Sequence, residues 1–172
     1  KKKVDDGAGG LVEQIVKFPI WFNSVANGGT PMCQAILAAE RVLTNWLNQH
    51  PACFPPIVIN ITDGESTDGD PTTSAESIKN LSSSDGSVLL FNLHLSSQRS
   101  IPIEFPNNEE ILPDHYAKLL FSISSTLPDY MKNIAQQEGY QGLEGAGGFV
   151  FNGTIESVIK FLDIGTRPSN LR

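Results

Sequence analysis

The residues best suited to chemistry lie directly after a short apolar run. Residues 57–62 are apolar or β-branched except for Asn60, which is typical of a strand buried on both faces of a parallel sheet. Four carboxylates follow within the next eight positions, namely those of Asp63, Glu65, Asp68 and Asp70. Open α/β sheets bind their ligands just beyond the carboxyl ends of such strands. These carboxylates therefore predict a polar ligand site at one edge of a sheet.

Thr30 stands at the start of a predicted helix, and His94 is a further candidate site residue. Thr30 precedes Pro31 at the start of a helical pattern, so its hydroxyl is suited to cap that helix. His94 stands near the end of a second apolar strand pattern. Because parallel strands end at the same edge of a sheet, we expect Asp63 and His94 to lie near each other. Used as acid and base, these two residues would suit a hydrolase or transferase of α/β type.

Helical and strand patterns alternate through most of the chain. We interpret residues 96–112 as irregular because they contain two prolines, and the glycine-rich residues 139–148 as a mobile loop. The alternation predicts an α/β fold, in which helices cover both faces of a parallel sheet and the crossovers are right-handed. The strands are predicted at 57–62, 88–95 and 149–152 with an edge strand at 18–22, and the helices at 31–48, 74–81, 116–120, 128–139 and 155–162.

Composition and charge limit the classes of function. The chain has 172 residues, of which 40% are hydrophobic, and this is enough for the core of one domain. Its 12 basic and 19 acidic residues give a net charge of −7, which disfavours nucleic acid or an anionic membrane as the partner. Nothing besides Cys33 and Cys53 suggests a disulfide-stapled domain, and no apolar run reaches the roughly 20 residues of a membrane helix. We therefore expect a cytoplasmic protein.

Two familiar metal motifs do not fit this sequence. A calcium loop that started at Asp63 would need glycine at its sixth position, where this chain has Asp68. Cys33, His50 and Cys53 match no common zinc spacing. We therefore expect structural roles for the two cysteines and no metal site of either kind.

Two motifs in this order resemble the von Willebrand factor type A domain, here called the vWA domain. They are NGGTPMCQAI at residues 27–36 and IVINITDGEST at residues 57–67. The later strand VLLFNLHLSS and the closing segment FVFNGTIESVIKFLDIG are similar to the last two strands and the final helix of that fold. The resemblance covers nearly all of the chain. It implies a bacterial, cytoplasmic member of the family with a three-layer, Rossmann-like α/β fold.

The resemblance also implies a non-catalytic module for protein–protein interaction. The family binds a divalent cation at a metal-ion-dependent adhesion site (MIDAS), where an acidic residue of a protein partner completes the coordination. Thr30 and Asp63 match two of the three ligand loops of that site. Mg²⁺ suits them because it prefers oxygen ligands and keeps several waters, and Mn²⁺ or Ca²⁺ are alternatives. Glu65, Asp68 and Asp70 are interpreted as solvated loop charges.

The sequence departs from the family at the first ligand loop. No Asp-x-Ser-x-Ser motif occurs in this chain, and the first strand, first helix and second strand of the family have no counterpart in it. We expect a vWA core at 27–165, a partial segment with an edge strand at 1–26 and a tail at 166–172. The strand at 57–62 would then have a bare edge, which favours pairing with another chain. The missing N-terminal piece, present as another polypeptide, is the expected partner.

Overall fold

The computed structural model describes residues 2–5, 7, 10–14, 28–63, 65–96 and 100–167. The helices in this part are α1 (Met32–Gln49), α2 (Thr72–Asn80), α3 (His115–Ile123), α4 (Asp129–Gln137) and α5 (Ile155–Thr166). The strands are β1 (Lys2–Asp5), β2 (Leu11–Gln14), β3 (Ile57–Thr62), β4 (Ser82–Ser83), β5 (Gly86–Ser87), β6 (Leu89–His94), β7 (Ile103–Glu104) and β8 (Phe149–Phe151). None of these described helices combines the length and the apolar character that crossing a bilayer requires.

Four of the described strands form the main sheet, in the order β3, β6, β8, β7. Strand β6 pairs in parallel with both β3 and β8, whereas β7 pairs with β8 in the antiparallel direction. The register of β3 and β6 places Ile57 beside Leu89 and Thr62 beside His94. Two antiparallel hairpins, β1–β2 and β4–β5, form sheets of their own. The fold is therefore mixed α/β with a mostly parallel four-stranded sheet.

The core lies on both faces of this sheet. Successive side chains of a strand point to opposite faces, and β6 shows this clearly because Leu90 and Phe91 belong to different buried clusters. Leu90 packs in a cluster with residues of α1, α2 and α3, and Phe91 packs in a cluster with residues of α4 and α5. Helices thus cover both faces of the parallel strands, which explains why those strands are predominantly apolar.

The predicted alternation of helices and strands is confirmed. Three of the predicted strands overlap β3, β6 and β8, and each predicted helix overlaps one of α1 to α5. Helix α1 runs from Met32 to Gln49, within one residue of the predicted bounds. The hairpin of β1 and β2 had no counterpart among the predicted elements, because four-residue strands leave too short a pattern to recognise.

The interpretation of residues 96–112 as irregular is wrong at one point. Ile103–Glu104 forms the short strand β7, which pairs with the edge of β8. Pro102 and Pro106 lie just outside these paired residues, and proline is tolerated beside an edge strand because no ladder hydrogen bond is lost there. The edge strand predicted at 18–22 lies outside the residues that the structure describes.

The glycine-rich segment at 139–148, which we interpret from the sequence as a mobile loop, packs partly into the core. Leu143 and Ala146 are buried within it. Gly148 lies so close to the ring of Phe91 that a Cβ atom at this position would be 2.0 Å from Phe91 Cδ1. Glycine is therefore needed at position 148 for close packing, and not only for flexibility.

Candidate functional site

Asp63 and His94 come from the adjacent carboxyl ends of β3 and β6. Thr62 and His94 are register partners, and the backbone N–H of Leu95 donates a 2.8 Å hydrogen bond to the carbonyl of Thr62. This pairing continues the ladder to the last residue of each strand. Asp63 follows at once and is exposed. The expectation that these two residues lie near each other is therefore confirmed at the level of the backbone.

The segment that carries Thr30 contacts the acidic loop formed by residues 63–70. The carbonyl of Thr30 accepts hydrogen bonds from the backbone N–H groups of Thr67, at 2.9 Å, and of Met32, at 2.8 Å. Gly29 lies against the side chain of Thr67, where a Cβ atom would be 2.4 Å from the Thr67 hydroxyl oxygen. Glycine at position 29 thus allows the two segments to approach this closely.

Asp68 provides the side-chain cap of helix α1. Its carboxylate oxygens accept hydrogen bonds from the backbone N–H groups of Cys33, at 3.0 Å, and Gln34, at 2.9 Å. The helix itself begins after Pro31 without a side-chain cap from that residue. In the described part of the chain, the side-chain cap of α1 thus comes from Asp68 and not from Thr30, the residue that the sequence suggested. Asp68 satisfies two of the N–H groups that a helix leaves open at its start.

Asp68 thus caps a helix, a role that its interpretation as a solvated loop charge did not include. Desolvation acts to raise the pKa of its carboxyl group, but the N–H groups of Gln34 and Cys33 and the hydroxyl of Ser66 outweigh this and lower the pKa to about 2. Hydrogen bonds that are donated to the charged form favour that form. Asp68 consequently remains a carboxylate throughout the neutral and mildly acidic range.

The other two loop carboxylates contact residues that begin α2 and α3. Asp70 accepts hydrogen bonds from the hydroxyl of Thr72, at 2.6 Å, and from its backbone N–H, at 2.9 Å. These two bonds lower the pKa of Asp70. Glu65 hydrogen-bonds with the hydroxyl of Tyr116, which raises the pKa of that tyrosine. Helix α3 therefore borders the acidic loop, which no local sequence pattern predicted.

His94 is a buried imidazole beside two carboxylates. The residue is 5% exposed, and its ring packs edge-on against Phe151 with a centroid distance of 5.3 Å. Its Nδ1 atom is buried and has no hydrogen-bond partner among the described residues. Burial lowers the pKa of His94, and the nearby carboxylates of Asp114 and Asp63 oppose this effect. Because burial dominates, the neutral imidazole is favoured.

Asn152 joins the ends of β6 and β8. Its backbone N–H donates to the carbonyl of His94 at 2.8 Å, and its side-chain oxygen accepts from the backbone N–H of Ser96 at 2.5 Å. Asn152 has a φ of 48°, a left-handed conformation that asparagine tolerates better than most residues. The loops after three neighbouring strands, β3, β6 and β8, thus meet at one edge, as the parallel arrangement predicts.

The two predicted ligands carry oxygen donors, which suit a hard divalent cation, but they are few. Thr30 offers a hydroxyl and Asp63 a carboxylate, which are donor types that Mg²⁺ accepts. Among the described residues, no three His, Cys, Asp or Glu side chains are grouped so that they could hold a metal ion. A cation bound to Thr30 and Asp63 would therefore depend on water or another molecule for its remaining ligands.

The two cysteines are distant from each other and form no disulfide. Cys33 lies in the first turn of α1, and Cys53 lies beyond the end of that helix. An 18-residue helix spans about 27 Å at 1.5 Å per residue, which is far beyond the reach of a disulfide. The expectation that Cys33, His50 and Cys53 do not form one zinc site agrees with this separation.

No family model, curated protein or solved structure matches this chain. The resemblance to the vWA domain therefore stays a prediction that rests on the two motifs. What the structure establishes independently is the mixed α/β fold and the meeting of three polar loops at one edge of its sheet.

Proposed function

We propose that this chain is part of a vWA-type module for protein–protein interaction, which binds a divalent cation through Thr30 and Asp63. In this proposal the cation captures a carboxylate from a protein partner, and the module catalyses no reaction. Mg²⁺ is the expected ion, with Mn²⁺ or Ca²⁺ as substitutes, because the two donors are oxygens. Two lines of support carry this assignment, namely the resemblance to the vWA motifs and the polar groups at the carboxyl ends of the parallel strands.

The observation that carries the proposal is the contact between the Thr30 segment and the acidic loop. These segments are more than 30 residues apart in sequence, yet Thr67 N–H donates to the Thr30 carbonyl at 2.9 Å. Because Asp68 supplies the cap of α1, the Thr30 hydroxyl is not needed for that purpose. The Thr30 hydroxyl, which the cap does not use, and the exposed carboxylate of Asp63 are suitable first ligands for a cation.

The number of donors determines the affinity that we expect from this chain. One hydroxyl and one carboxylate occupy two of the six positions that Mg²⁺ prefers, and water would fill the others. We propose that the remaining protein ligands come from a segment outside this sequence, either covalently linked or as a separate polypeptide. This chain by itself should therefore bind divalent cations weakly.

Paramagnetic line broadening tests the proposed ligands even when binding is weak. Titration of the ¹⁵N-labelled chain with Mn²⁺ should broaden the amide signals of Thr30 and Asp63 first, and a chelator should restore them. Thr30→Ala and Asp63→Ala should each raise the apparent dissociation constant by at least about tenfold, since loss of even an outer-shell group costs this much. Asp85→Asn is the matched charge control, because Asp85 lies in the β4–β5 turn, before the amino end of β6.

Two results would contradict the proposed site. One is broadening that is equal across all exposed carboxylates, and the other is an unchanged dissociation constant in both variants. The partner chemistry can then be tested with two short peptides that differ by one glutamate-to-glutamine change. Only the glutamate peptide should bind more tightly when Mg²⁺ is added, because a neutral amide is a poorer ligand for this ion.

A hydrolase or transferase is the second candidate, and the buried imidazole of His94 is the observation that favours it. A neutral imidazole beside Asp63 could accept a proton from a substrate hydroxyl or from water. The two candidates differ in their response to chelators. Turnover of an ester or phosphoester substrate that survives the chelator and is lost in His94→Gln would favour the enzyme over the cation-dependent module.

A further inference from the structure

Asp68 connects the acidic loop to the first turn of helix α1. One of its carboxylate oxygens accepts hydrogen bonds from Cys33 N–H, at 3.0 Å, and from the Ser66 hydroxyl, at 2.9 Å. The other oxygen accepts from Gln34 N–H at 2.9 Å. The contact is favourable in charge as well, because the N-terminus of a helix carries a partial positive charge. Both oxygens of Asp68 are therefore already engaged by groups of the protein.

These contacts form a clamp around Thr30. On one side of this residue, Gly29 packs against the side chain of Thr67, and the Thr30 carbonyl accepts from Thr67 N–H. On the other side, the first turn of α1 is held by Asp68, the residue that follows Thr67. The backbone of Thr30 is thus fixed to the acidic loop before and after its own position. We call these contacts the Asp68 clamp.

We propose that Asp68 is a positioning residue that fixes the Thr30 segment against the acidic loop and so aligns the hydroxyl of Thr30 with Asp63. The consequence for cation binding rests on the proposed function of Thr30 and Asp63. Asp68 itself is not a ligand in this proposal, because its oxygens accept hydrogen bonds from α1 and Ser66. Its effect on the cation is transmitted through the position of Thr30.

The chain offers a closely matched control in Asp70. This carboxylate belongs to the same loop, and its side-chain hydrogen bonds go to Thr72, two residues away. Asp70→Asn therefore removes the same charge from the same loop without changing a contact to α1. Asp68→Ala removes the clamp, and Asp68→Asn keeps one acceptor oxygen, so it should have a smaller effect. The asparagine variant also serves if Asp68→Ala fails to fold.

The first measurement needs no metal. Amide hydrogen exchange of Cys33 and Gln34 should be at least about tenfold faster in Asp68→Ala than in the wild type, because local opening exposes these groups. In Asp70→Asn the two rates should stay within about twofold of the wild type. Unchanged rates in Asp68→Ala would overturn the proposal, whatever the chain does with cations.

The second measurement separates positioning from direct coordination. The apparent dissociation constant for Mn²⁺ should rise about tenfold in Asp68→Ala and change little in Asp70→Asn, as for other groups that orient a ligand. Thr30→Ala should then add little further loss in the Asp68→Ala background, because the hydroxyl is already misplaced. Full additivity of the two losses would mean that Asp68 acts independently of Thr30, which contradicts the proposal.

The two proposals fail in different ways. If the wild-type chain shows no Mn²⁺ broadening at Thr30 and Asp63, the proposed cation site is wrong. In that case the exchange rates of Cys33 and Gln34 still decide whether Asp68 holds the Thr30 segment. If Mn²⁺ binds as expected but Asp68→Ala leaves the dissociation constant unchanged, the cation site stands and the positioning role of Asp68 is refuted.

Discussion

Strands β3 and β6 have the same length and run side by side in parallel, yet the fold covers them differently. Strand β6 has a paired strand on each side, and its residues from Leu90 to His94 are all buried. Strand β3 has one paired neighbour among the described strands, and Thr62 is its one buried residue. Ile61 is 52% exposed, whereas its register partner Leu93 is 0% exposed.

This difference separates two tasks within one sheet. The central strand β6 joins the clusters on both faces of the sheet and therefore holds the core together. In the outer strand β3, Ile61 is exposed, and so is Asp63 directly after the strand, so that Asp63 can meet a ligand in solvent. Three of the six register pairs of these strands allow a direct comparison of the two roles, namely Ile59 with Phe91, Asn60 with Asn92, and Ile61 with Leu93.

The largest difference should appear in the pair of Ile59 and Phe91. Phe91 is 1% exposed, and its ring lies 6.1 Å from that of Phe161. Phe91→Ala should lower the free energy of unfolding by about 3–5 kcal/mol, because it leaves a cavity beside Gly148. Ile59→Ala should cost about 1–2 kcal/mol, because Ile59 is half-buried. Urea denaturation followed by circular dichroism measures both values. Equal costs would show that β3 is as deeply embedded as β6.

Much of this layout could be predicted from local patterns. The apolar runs of β3 and β6 and the helical spacing of α1 are each contained within a few successive turns or residues, so a sequence window contains the whole signal. The closeness of Gly148 to Phe91 could not be predicted in this way. It arises because β8 pairs with β6 across more than 50 residues of sequence, and pairing of this kind leaves no local pattern.

The second pair tests the polar group in the middle of each strand. The side-chain nitrogen of Asn92 donates hydrogen bonds to the Leu120 carbonyl, at 3.1 Å, and to the Ser124 hydroxyl oxygen, at 2.9 Å. The side-chain oxygen of Asn92 accepts a hydrogen bond from the side-chain nitrogen of Asn60 at 2.8 Å. Asn92→Ala should lower the free energy of unfolding by about 1–3 kcal/mol, because buried partners lose their hydrogen bonds. Asn60→Ala should cost less, because Asn60 is only half-buried. A larger loss for Asn60→Ala, measured in the same way, would reverse the assigned roles of the two strands.

The candidate site was predictable only where its residues follow strands or begin helices. Asp63 and His94 follow apolar runs, so their shared edge could be predicted from the parallel topology. The role of Asp68 could not, since its helix-capping partners lie 34 and 35 residues earlier in the chain. Capping signals are recognised within a few residues of a helix start. A cap that is supplied by a distant loop therefore becomes visible only in three dimensions.

The smallest effect is expected for the exposed member of the third pair. Ile61→Thr keeps a β-branched side chain on β3 and changes a position that already contacts solvent, so the free energy of unfolding should change by less than about 0.5 kcal/mol. Leu93→Thr is the matched control. Leu93→Thr should lower the free energy of unfolding several times more, because it places a hydroxyl in the core and removes buried methyl groups.

A loss of more than about 1 kcal/mol in Ile61→Thr would exceed the range for an exposed site. That result would mean that this position is covered in solution, either by another part of the chain or by a second molecule. In that case β3 would be a central strand, and Asp63 would be less accessible to a partner than we propose.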